Sequence, residues 1–275
     1  MTAFEQLAGG DTARPVAVVT GAARGIGAAV AQALALGGWD LVLGDVPHAD
    51  TVPGLTYPLA DGGLLETSAA RCRDIGADVV TVSCDVRDRL EVEALVGAVG
   101  DRELRAAVAV AGVMAADGPA WEQPDEALER DLAVNLYGVV HLAQAAVPWL
   151  LAARTPARGR FVAVVSSAGT RGLPRLASYV ASKHAALGWV RALAADLAPS
   201  GVTANAVLPG STRTRLLERT AEAYGLDSAD AFTANQRIGR LIDPTEIASA
   251  VAYLCSDAAS AVTGTALEVD GGFTG

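Results

Sequence analysis

A Gly-rich turn between a β-branched run and a helical stretch limits the folds open to this chain. Residues 16–20 read Val-Ala-Val-Val-Thr, which is typical of a short buried strand. They run directly into the turn Gly21-x-x-x-Gly25-x-Gly27. Residues 28–37 then follow a helical pattern, and residues 41–45 form a second apolar run that ends in an acid. This order predicts a right-handed βαβ unit with two parallel strands.

The glycines of this turn suit the binding of a dinucleotide. Gly21 allows a sharp exit from the strand, Gly25 lets a pyrophosphate approach the backbone, and Gly27 lets helix and strand pack closely. The phosphates would lie at the helix N-terminus, where free N–H groups and the helix dipole favour negative charge. The cofactor contacts predicted in this unit are Gly21, Ala23, Arg24, Gly25, Ile26, Gly27, Asp45 and Val46.

Asp45 decides between the two nicotinamide dinucleotides. A carboxylate at the end of the second strand accepts hydrogen bonds from the ribose hydroxyls and repels a 2′-phosphate. Arg24 favours the opposite preference, since a guanidinium in the turn could meet that phosphate. Because no basic residue closely follows Asp45, we expect NAD as the cofactor, with NADP as the less favoured choice.

Strand and helix patterns alternate along the rest of the chain. Further strands are predicted at residues 77–83, 106–111, 161–166, 202–208 and 266–269, and helices at 64–75, 90–99, 124–151, 178–198 and 244–254. This alternation predicts an α/β, Rossmann-type doubly wound parallel sheet of about seven strands, with helices on both faces and ligands at the carboxyl edge. We expect residues 1–14 to be a flexible tail and 15–275 a single domain. A Pro- and Gly-rich insertion at 46–63 and a lid at 215–238 would flank the cofactor and the substrate.

Composition excludes several functions. With 21 Lys and Arg against 31 Asp and Glu, the net charge is −10, which argues against nucleic-acid or anionic-membrane partners. No run approaches the ~20 apolar residues of a membrane helix, and residues 1–14 lack the apolar core of a signal peptide. Cys72, Cys84 and Cys255 lack disulfide or zinc spacing and indicate buried thiols in a reducing cytoplasm. The three histidines are not at ligand spacing, so no metal site is expected.

Tyr179 and Lys183 lie four residues apart, which places both side chains on one face of the predicted helix. An ammonium close to a phenol favours the phenolate and lowers the pKa of the tyrosine. Such a tyrosine takes a proton from an alcohol or returns one to a carbonyl. Ser166, at the end of the strand 161–166, would bring a hydroxyl to the same oxygen. Asn135 in the middle of the helix 124–151 competes with helical hydrogen bonds and therefore indicates a specific role.

These motifs, together with Asp85-Val86, Pro209-Gly210 and the stretch 269–272, resemble the short-chain dehydrogenase/reductase family from about Pro15 to Gly275. The resemblance implies that Tyr179 is the general acid/base. It also implies that Lys183 lowers the pKa of Tyr179 and holds the nicotinamide ribose, that Ser166 polarises the substrate oxygen, and that Asn135 holds a water in a proton relay. Further implied cofactor contacts are Asp85, Val86, Ala111, Gly112, Tyr179, Lys183, Pro209, Gly210, Thr212 and Thr214.

Two features qualify this resemblance. Residues 109–112 read Ala-Val-Ala-Gly where the family has Asn-Asn-Ala-Gly, so the amides that brace the fourth strand are absent. The insertion with Tyr57-Pro58-Leu59-Ala60, and the stretch 171–176, resemble the mycofactocin-coupled subgroup from actinobacteria, whose members hold NAD tightly and are thought to pass electrons to mycofactocin. A loop over the cofactor would slow its exit, whereas the alternative is a mere variation in loop length. The family resemblance also implies a homotetramer.

The expected activity is the reversible interconversion of an alcohol and its carbonyl, in which the Tyr179 phenolate takes the hydroxyl proton while hydride passes to the nicotinamide. Apolar residues of the lid and the facing loops, Trp121 included, favour an apolar secondary alcohol as substrate. The predicted substrate contacts are Ser166, Met114, Leu173, Leu216 and Tyr224. Two alternatives stay open: a ketone or 3-oxoacyl reductase with freely exchanging NAD(P)H, and a dinucleotide-sensing protein without catalysis.

Overall fold

A parallel β-sheet forms the centre of the computed structural model, which describes residues 14–273. Within these residues the sheet has seven strands: β1 Val16–Thr20, β2 Asp40–Asp45, β3 Val79–Ser83, β4 Leu104–Ala109, β5 Arg160–Val164, β6 Thr203–Pro209 and β7 Ala266–Val269. Their order is β3-β2-β1-β4-β5-β6-β7, and every neighbouring pair is parallel. The predicted Rossmann-type sheet is confirmed, and the reversal of strand order between β1 and β4 opens a crevice at its carboxyl edge.

Helices cover both faces of the sheet. They are α1 Gly25–Leu36, α2 Gly62–Asp74, α3 Arg89–Gly97, α4 Asp125–Asn135, α5 Tyr137–Ala152, α6 Ala177–Leu197, α7 Arg215–Ala223 and α8 Pro244–Cys255. One apolar core joins the sheet to α3, α5 and α6, and a second core on the opposite face joins it to α1, α2 and α8. Burial of these two cores is the main term that stabilises the three layers.

The N-terminal boundary differs from the expected tail by one residue. Arg14 donates hydrogen bonds to the carbonyls of Gly38 (3.1 Å) and Ala35 (3.2 Å) and forms an ion pair with Asp40 (3.3 Å). Arg14 is thus anchored to the end of α1 and the start of β2, and the rest of the predicted tail lies outside the described residues.

The single long helix predicted over residues 124–151 is wrong, because the structure divides it at Leu136. Leu136 has φ −103° and ψ −61°, so α4 ends at Asn135 and α5 begins at Tyr137. The side chain of Asn135, the last residue of α4, binds both backbone groups of Val113. Residues 125–152 together are long and apolar enough for a membrane span, but half of the relevant window is buried against the rest of the fold.

The insertion and the lid lie at the carboxyl edge of the sheet. Asp61 ends the insertion by capping α2, since its carboxylate accepts a hydrogen bond from the Leu64 N–H (3.0 Å). The lid region consists of α7 followed by a 3₁₀ segment, Ala229–Asn235. Both segments therefore approach the end of the sheet at which the candidate site residues were predicted.

Candidate active site

The Gly-rich turn leaves no space for side chains at two of its positions. Gly21 has φ +67°, and a Cβ at this residue would lie 2.6 Å from the backbone nitrogen of Ala111. A Cβ at Gly27 would lie 1.9 Å from the carbonyl oxygen of Gly21. The helix α1 begins within the turn, so its free N–H groups face the crevice at the edge of the sheet.

Asp45 occupies the position expected of a ribose-binding acid. Its carboxylate accepts hydrogen bonds from the N–H groups of Ala23 (2.9 Å) and Val46 (2.8 Å). Burial raises the pKa of Asp45, while those two hydrogen bonds and the nearby Arg24 lower it. The guanidinium of Arg24 itself donates to the Pro58 carbonyl oxygen (3.0 Å), so it is engaged with the insertion.

Asp85 follows β3 at the same edge, but its carboxylate is already engaged. Arg87 donates to both carboxylate oxygens of Asp85, with an ion-pair distance of 2.6 Å. The same guanidinium donates to the carbonyl of Thr51 (2.8 Å), which ties the insertion to the end of β3. Asp85 therefore contributes to holding the insertion in place as well as lining the cofactor side of the cavity.

The stretch Val110–Ala115, which follows β4, is braced by side chains instead of by its own amides. The N–H of Val110 donates to Thr20 Oγ1 (3.2 Å), and the N–H of Met114 donates to Tyr57 Oη (3.0 Å). The N–H of Val113 donates to Asn135 Oδ1 (2.9 Å), and the N–H of Ala115 donates to Asp131 Oδ1 (2.9 Å). These four acceptors come from the end of β1, the insertion and α4. They compensate for the two amide side chains that the Ala-Val-Ala-Gly sequence lacks.

Tyr179 and Lys183 lie one turn apart on α6 and are both buried, with 8% and 4% of their surfaces exposed. The Lys183 Nζ lies 5.7 Å from the centroid of the Tyr179 ring. Burial raises the pKa of Tyr179 to about 12, and a hydrogen bond with Ser166 lowers it. Burial also lowers the pKa of Lys183 to about 8.

The expectation that Lys183 brings the pKa of Tyr179 below its usual value is therefore wrong. Desolvation outweighs every favourable interaction of the phenolate in this enclosed position. Ser166 nevertheless lies close enough to Tyr179 to lower its pKa, and both residues line the same cavity, where one substrate oxygen can meet their hydroxyls.

Asn135 lies close to this pair. Its amide donates hydrogen bonds to the Val113 carbonyl (2.9 Å) and to Ser182 Oγ (2.9 Å). A Cβ at Gly112 would lie 3.2 Å from Asn135 Oδ1 and 3.3 Å from Lys183 Nζ, so a larger residue here would press on both side chains. The amide of Asn135 positions the backbone, while its implied water-holding role stays a prediction.

The predicted residues line one cavity of about 880 Å³. The exceptions are Ala23, whose N–H is bound to Asp45, and Asn135, which lies behind the cavity wall. Trp121 is 84% exposed and does not line the cavity, so its predicted substrate contact is wrong. Among residues 14–273, no three His, Cys, Asp or Glu side chains cluster as metal ligands.

An apolar cluster surrounds Tyr179 on the substrate side. Met114, Leu173, Leu216 and Tyr224, all predicted as substrate contacts, pack together with Leu176 and Tyr179. Thr214 caps α7 at the edge of this cluster, and its methyl carbon lies 3.5 Å from the point where a Gly25 Cβ would stand. The lid helix thus begins beside the Gly-rich turn, so the cofactor and substrate sides form one continuous space.

Sequence reasoning missed two residues that the structure places near Tyr179. Tyr57 is 7% exposed and binds the backbone of Met114 from within the insertion. Asp131 is fully buried on α4. Asp131 could have been found from the sequence, because it lies four residues before Asn135 and therefore on the same face of the helix. No local pattern distinguishes Tyr57 from other residues of a Pro- and Gly-rich loop.

Comparison with known proteins identifies this arrangement. A family model described as Enoyl-(Acyl carrier protein) reductase matches residues 21–274. The chain belongs to the short-chain dehydrogenase/reductase family. This membership makes it an oxidoreductase of alcohols and carbonyls, in agreement with the predicted class.

Relatives in this dehydrogenase/reductase family differ in their substrates. Cis-4-hydroxycyclohexanecarboxylate dehydrogenase of Sinomonas cyclohexanicum is 38% identical over 95% of this chain and 97% of its own. The monensin polyketide synthase putative ketoacyl reductase of Streptomyces virginiae is 34% identical over 94% and 96%. The crystal structure of carveol dehydrogenase from Mycobacterium avium in complex with NAD superposes with a TM-score of 0.88. It is 30% identical to this chain, covering 96% of it and 99% of its own length.

Proposed function

We propose that this short-chain dehydrogenase/reductase oxidises an uncharged, apolar secondary alcohol with NAD, and that Tyr179 is its general acid/base. The observation that carries the proposal is the position of the Ser166 and Tyr179 hydroxyls. Both residues line a cavity that reaches the Gly-rich turn on one side and an apolar cluster on the other, and Ser166 lies close enough to Tyr179 to lower its pKa.

The residues at the cofactor side suit NAD. Gly21 and Gly27 keep the turn free of side chains, the α1 N-terminus faces the crevice, and Asp45 offers carboxylate oxygens where a ribose would lie. When bound, NAD accepts or supplies the hydride of the reaction. The carboxylate of Asp45 disfavours a 2′-phosphate, and the NAD complex of the related carveol dehydrogenase supports the same choice.

The chain's own residues handle the proton. In alcohol oxidation, Tyr179 as a phenolate takes the hydroxyl proton, and Ser166 donates a hydrogen bond to the oxygen that becomes the carbonyl. Lys183 keeps a positive charge near the phenolate. The apolar cluster borders this point and limits the access of water to it.

Apolar walls support the substrate class. Met114, Leu173, Leu216 and Tyr224 surround the space next to Tyr179, and the hydroxyl of Tyr224 already donates to the Pro174 carbonyl (2.7 Å). A substrate with a ring or branched hydrocarbon body would fill this space without leaving a buried polar group unpaired. The related carveol dehydrogenase, named for an uncharged alcohol, is consistent with this class, whereas the relative named for cis-4-hydroxycyclohexanecarboxylate acts on a ring alcohol that also carries a carboxylate.

We further propose mycofactocin coupling with tightly held NAD. The insertion is fixed over the cofactor side by contacts with four other segments: Arg24 to Pro58, Arg87 to Thr51, Met114 to Tyr57 and Arg219 to Thr56 (3.1 Å). A loop held at so many points opens rarely, which slows the exit of the cofactor. Nicotinamide absorbance that persists in the purified protein after extensive dialysis supports this idea, and free exchange of NAD contradicts it.

The second candidate function is a ketone or 3-oxoacyl reductase with freely exchanging NAD(P)H, which the similarity to a Streptomyces virginiae ketoacyl reductase favours. Steady turnover of a 3-oxoacyl thioester with added NADPH would select it. A dinucleotide-sensing protein without catalysis is a third candidate. The placement of Ser166 and Tyr179 in one cavity argues against it, since a sensor needs no proton donor for a substrate.

We also propose a cytoplasmic homotetramer. Large apolar side chains on α4 and α5 remain exposed in the single chain: Leu128 (39%), Tyr137 (52%), Trp149 (38%) and Leu151 (43%). A partner chain covering them would remove this apolar surface from water. Light scattering that gives the mass of one chain would contradict the assembly.

A screen of apolar secondary alcohols with an artificial electron acceptor, with and without added NAD, tests the main proposal. Tyr179→Phe should abolish turnover while NAD binding, followed by tryptophan fluorescence, remains. The matched control is Tyr253→Phe, because Tyr253 is 45% exposed and lies on α8 away from the cavity. Full activity in Tyr179→Phe would refute the proposed role.

A further inference from the structure

A fully buried carboxylate lies behind the proposed acid/base pair without taking part in the cavity. Asp131 has no exposed surface, and its side chain does not line the cavity. Its Oδ1 accepts a hydrogen bond from the N–H of Ala115 (2.9 Å), and its Oδ2 accepts one from the hydroxyl of Ser178 (2.7 Å). A buried charge of this kind is costly, so its presence calls for a function.

Asp131 and Asn135 each connect α4 to α6 by a side-chain hydrogen bond. On α4 they are four residues apart, and on α6 their partners Ser178 and Ser182 are also four apart. Each serine immediately precedes one member of the proposed pair, Tyr179 or Lys183. These two hydrogen bonds therefore fix the rotation of α6 about its axis, and with it the direction in which the side chains of Tyr179 and Lys183 point.

The charge of Asp131 also acts on the pair. The charged or titratable groups that face it are Tyr179 and Lys183 on α6, Tyr57 of the insertion and, on its own helix, Arg130. A carboxylate anion favours the ammonium form of Lys183 and disfavours the phenolates of Tyr57 and Tyr179. Asp131 thus opposes the effect of burial on Lys183.

We propose that Asp131 is a positioning residue, which orients Tyr179 through Ser178 and keeps the buried Lys183 protonated. The inference rests on the proposed function, in that it assigns Tyr179 and Lys183 as the acid/base pair. The effect on Lys183 follows from its pKa. The pKa of Lys183 is already lowered to about 8 by burial, so loss of the neighbouring anion brings its deprotonation into the neutral range.

The chain offers a direct measurement of this effect. Lys183 is the single lysine among the 275 residues, so protein labelled with ¹³C-lysine gives one side-chain signal whose pH titration reports Lys183 alone. This reading needs neither substrate nor turnover, so it can fail or succeed independently of the proposed function. The variants are Asp131→Asn, which retains the shape and removes the charge, and Glu129→Gln, which removes an exposed carboxylate from the same helix.

In Asp131→Asn we expect the midpoint of the Lys183 titration to fall by about one pH unit, as for the loss of one nearby opposite charge. Glu129→Gln should leave the midpoint at the wild-type value. An unchanged midpoint in folded Asp131→Asn protein would overturn the proposal.

Two further measurements keep the proposal testable if Asp131→Asn does not fold. In the wild type, the Lys183 signal should show an additional inflection near pH 6, because burial raises the pKa of Asp131 to about 6. A signal that is flat through this range contradicts the proposal. Ser178→Ala removes the positioning hydrogen bond and leaves the charge. Turnover of any alcohol found active should fall several-fold in Ser178→Ala, with the Lys183 midpoint retained; unchanged turnover would exclude the positioning role.

Discussion

The hydroxyl of Tyr57 accepts a hydrogen bond of 3.0 Å from the backbone N–H of Met114, which joins the insertion after β2 to the stretch after β4. Both residues are buried, and both line the cavity. The insertion is therefore part of the wall of the active site and not a peripheral loop.

Tyr57→Phe should weaken this wall. The ring still packs, but the Met114 N–H loses its partner, and an unpaired buried donor costs about 1–3 kcal/mol. We expect a lower melting temperature, measured by differential scanning fluorimetry, and faster release of NAD, measured as the nicotinamide that remains with the protein after dilution and gel filtration. Tyr253→Phe, at an exposed position, should change neither quantity. Wild-type values in Tyr57→Phe would mean that the hydroxyl contributes nothing to the wall.

Gly27→Ala should destroy the cofactor side of the site. A Cβ at this position would lie 1.9 Å from the Gly21 carbonyl oxygen, so α1 and the turn must move apart. We expect NAD affinity to fall by more than about tenfold, together with a loss of stability of at least about 1 kcal/mol. Isothermal titration calorimetry and chemical denaturation measure the two effects.

Gly188→Ala is the matched control for Gly27→Ala. Gly188 lies within α6, and a Cβ there meets nothing within 4 Å. Because alanine is the better helix former by about 0.5–1 kcal/mol, this variant should be slightly more stable and should bind NAD normally. Equal NAD binding by the two variants would show that the Gly27 contact is not needed for the cofactor.

Alcohol oxidation should accelerate with pH. Since the pKa of Tyr179 is raised to about 12, the phenolate is a minor species at neutral pH and its population grows about tenfold per pH unit. We expect kcat/KM for oxidation to rise from pH 7 to 10, while ketone reduction, for which Tyr179 donates its proton, should not rise. A flat oxidation profile, in protein whose circular dichroism is unchanged over the same range, would contradict Tyr179 as the base.

Asp131 should reduce stability at neutral pH. Burial raises its pKa from the ordinary 3.8 to about 6, so the folded state binds more protons than the unfolded state between these pH values, and the loss of stability is complete above pH 6. It amounts to about 3 kcal/mol, since one pKa unit corresponds to about 1.4 kcal/mol. Asp131→Asn should therefore raise the melting temperature at pH 7.5, with a smaller gain at pH 4.5. An equal change at both pH values would point to packing alone.

The sequence patterns predicted the fold well, because each parallel strand is a compact apolar run and each helix has a clear period. Val16–Thr20 and Ala266–Val269 were predicted to the residue. The boundary between α4 and α5 was not, since residues 125–152 are continuously helical in composition and the break is a change in the backbone angles of Leu136 alone.

The sequence predicted the site residues that lie at strand ends. It did not predict the properties that depend on the tertiary environment, such as burial and pKa. Strand ends converge on one edge of a parallel sheet, and Gly21, Asp45 and Ser166 lie at that edge. The pKa of Tyr179 could not be obtained from its spacing to Lys183, because burial is the larger influence. Trp121 is apolar and close in sequence to Met114, yet it is exposed to solvent.

The bracing of Val110–Ala115 has a consequence for the order of folding. Its acceptors lie before it in the chain at Thr20 and Tyr57, and after it at Asp131 and Asn135. During synthesis from the N-terminus, β1 and β4 are available to pair before α4 has emerged, so this stretch stays incompletely held until then. The stretch Val110–Ala115 is thus held in place by residues that are synthesised after it. A nascent chain that ends before residue 131 would contain β1 to β4 of the sheet but not the complete active site.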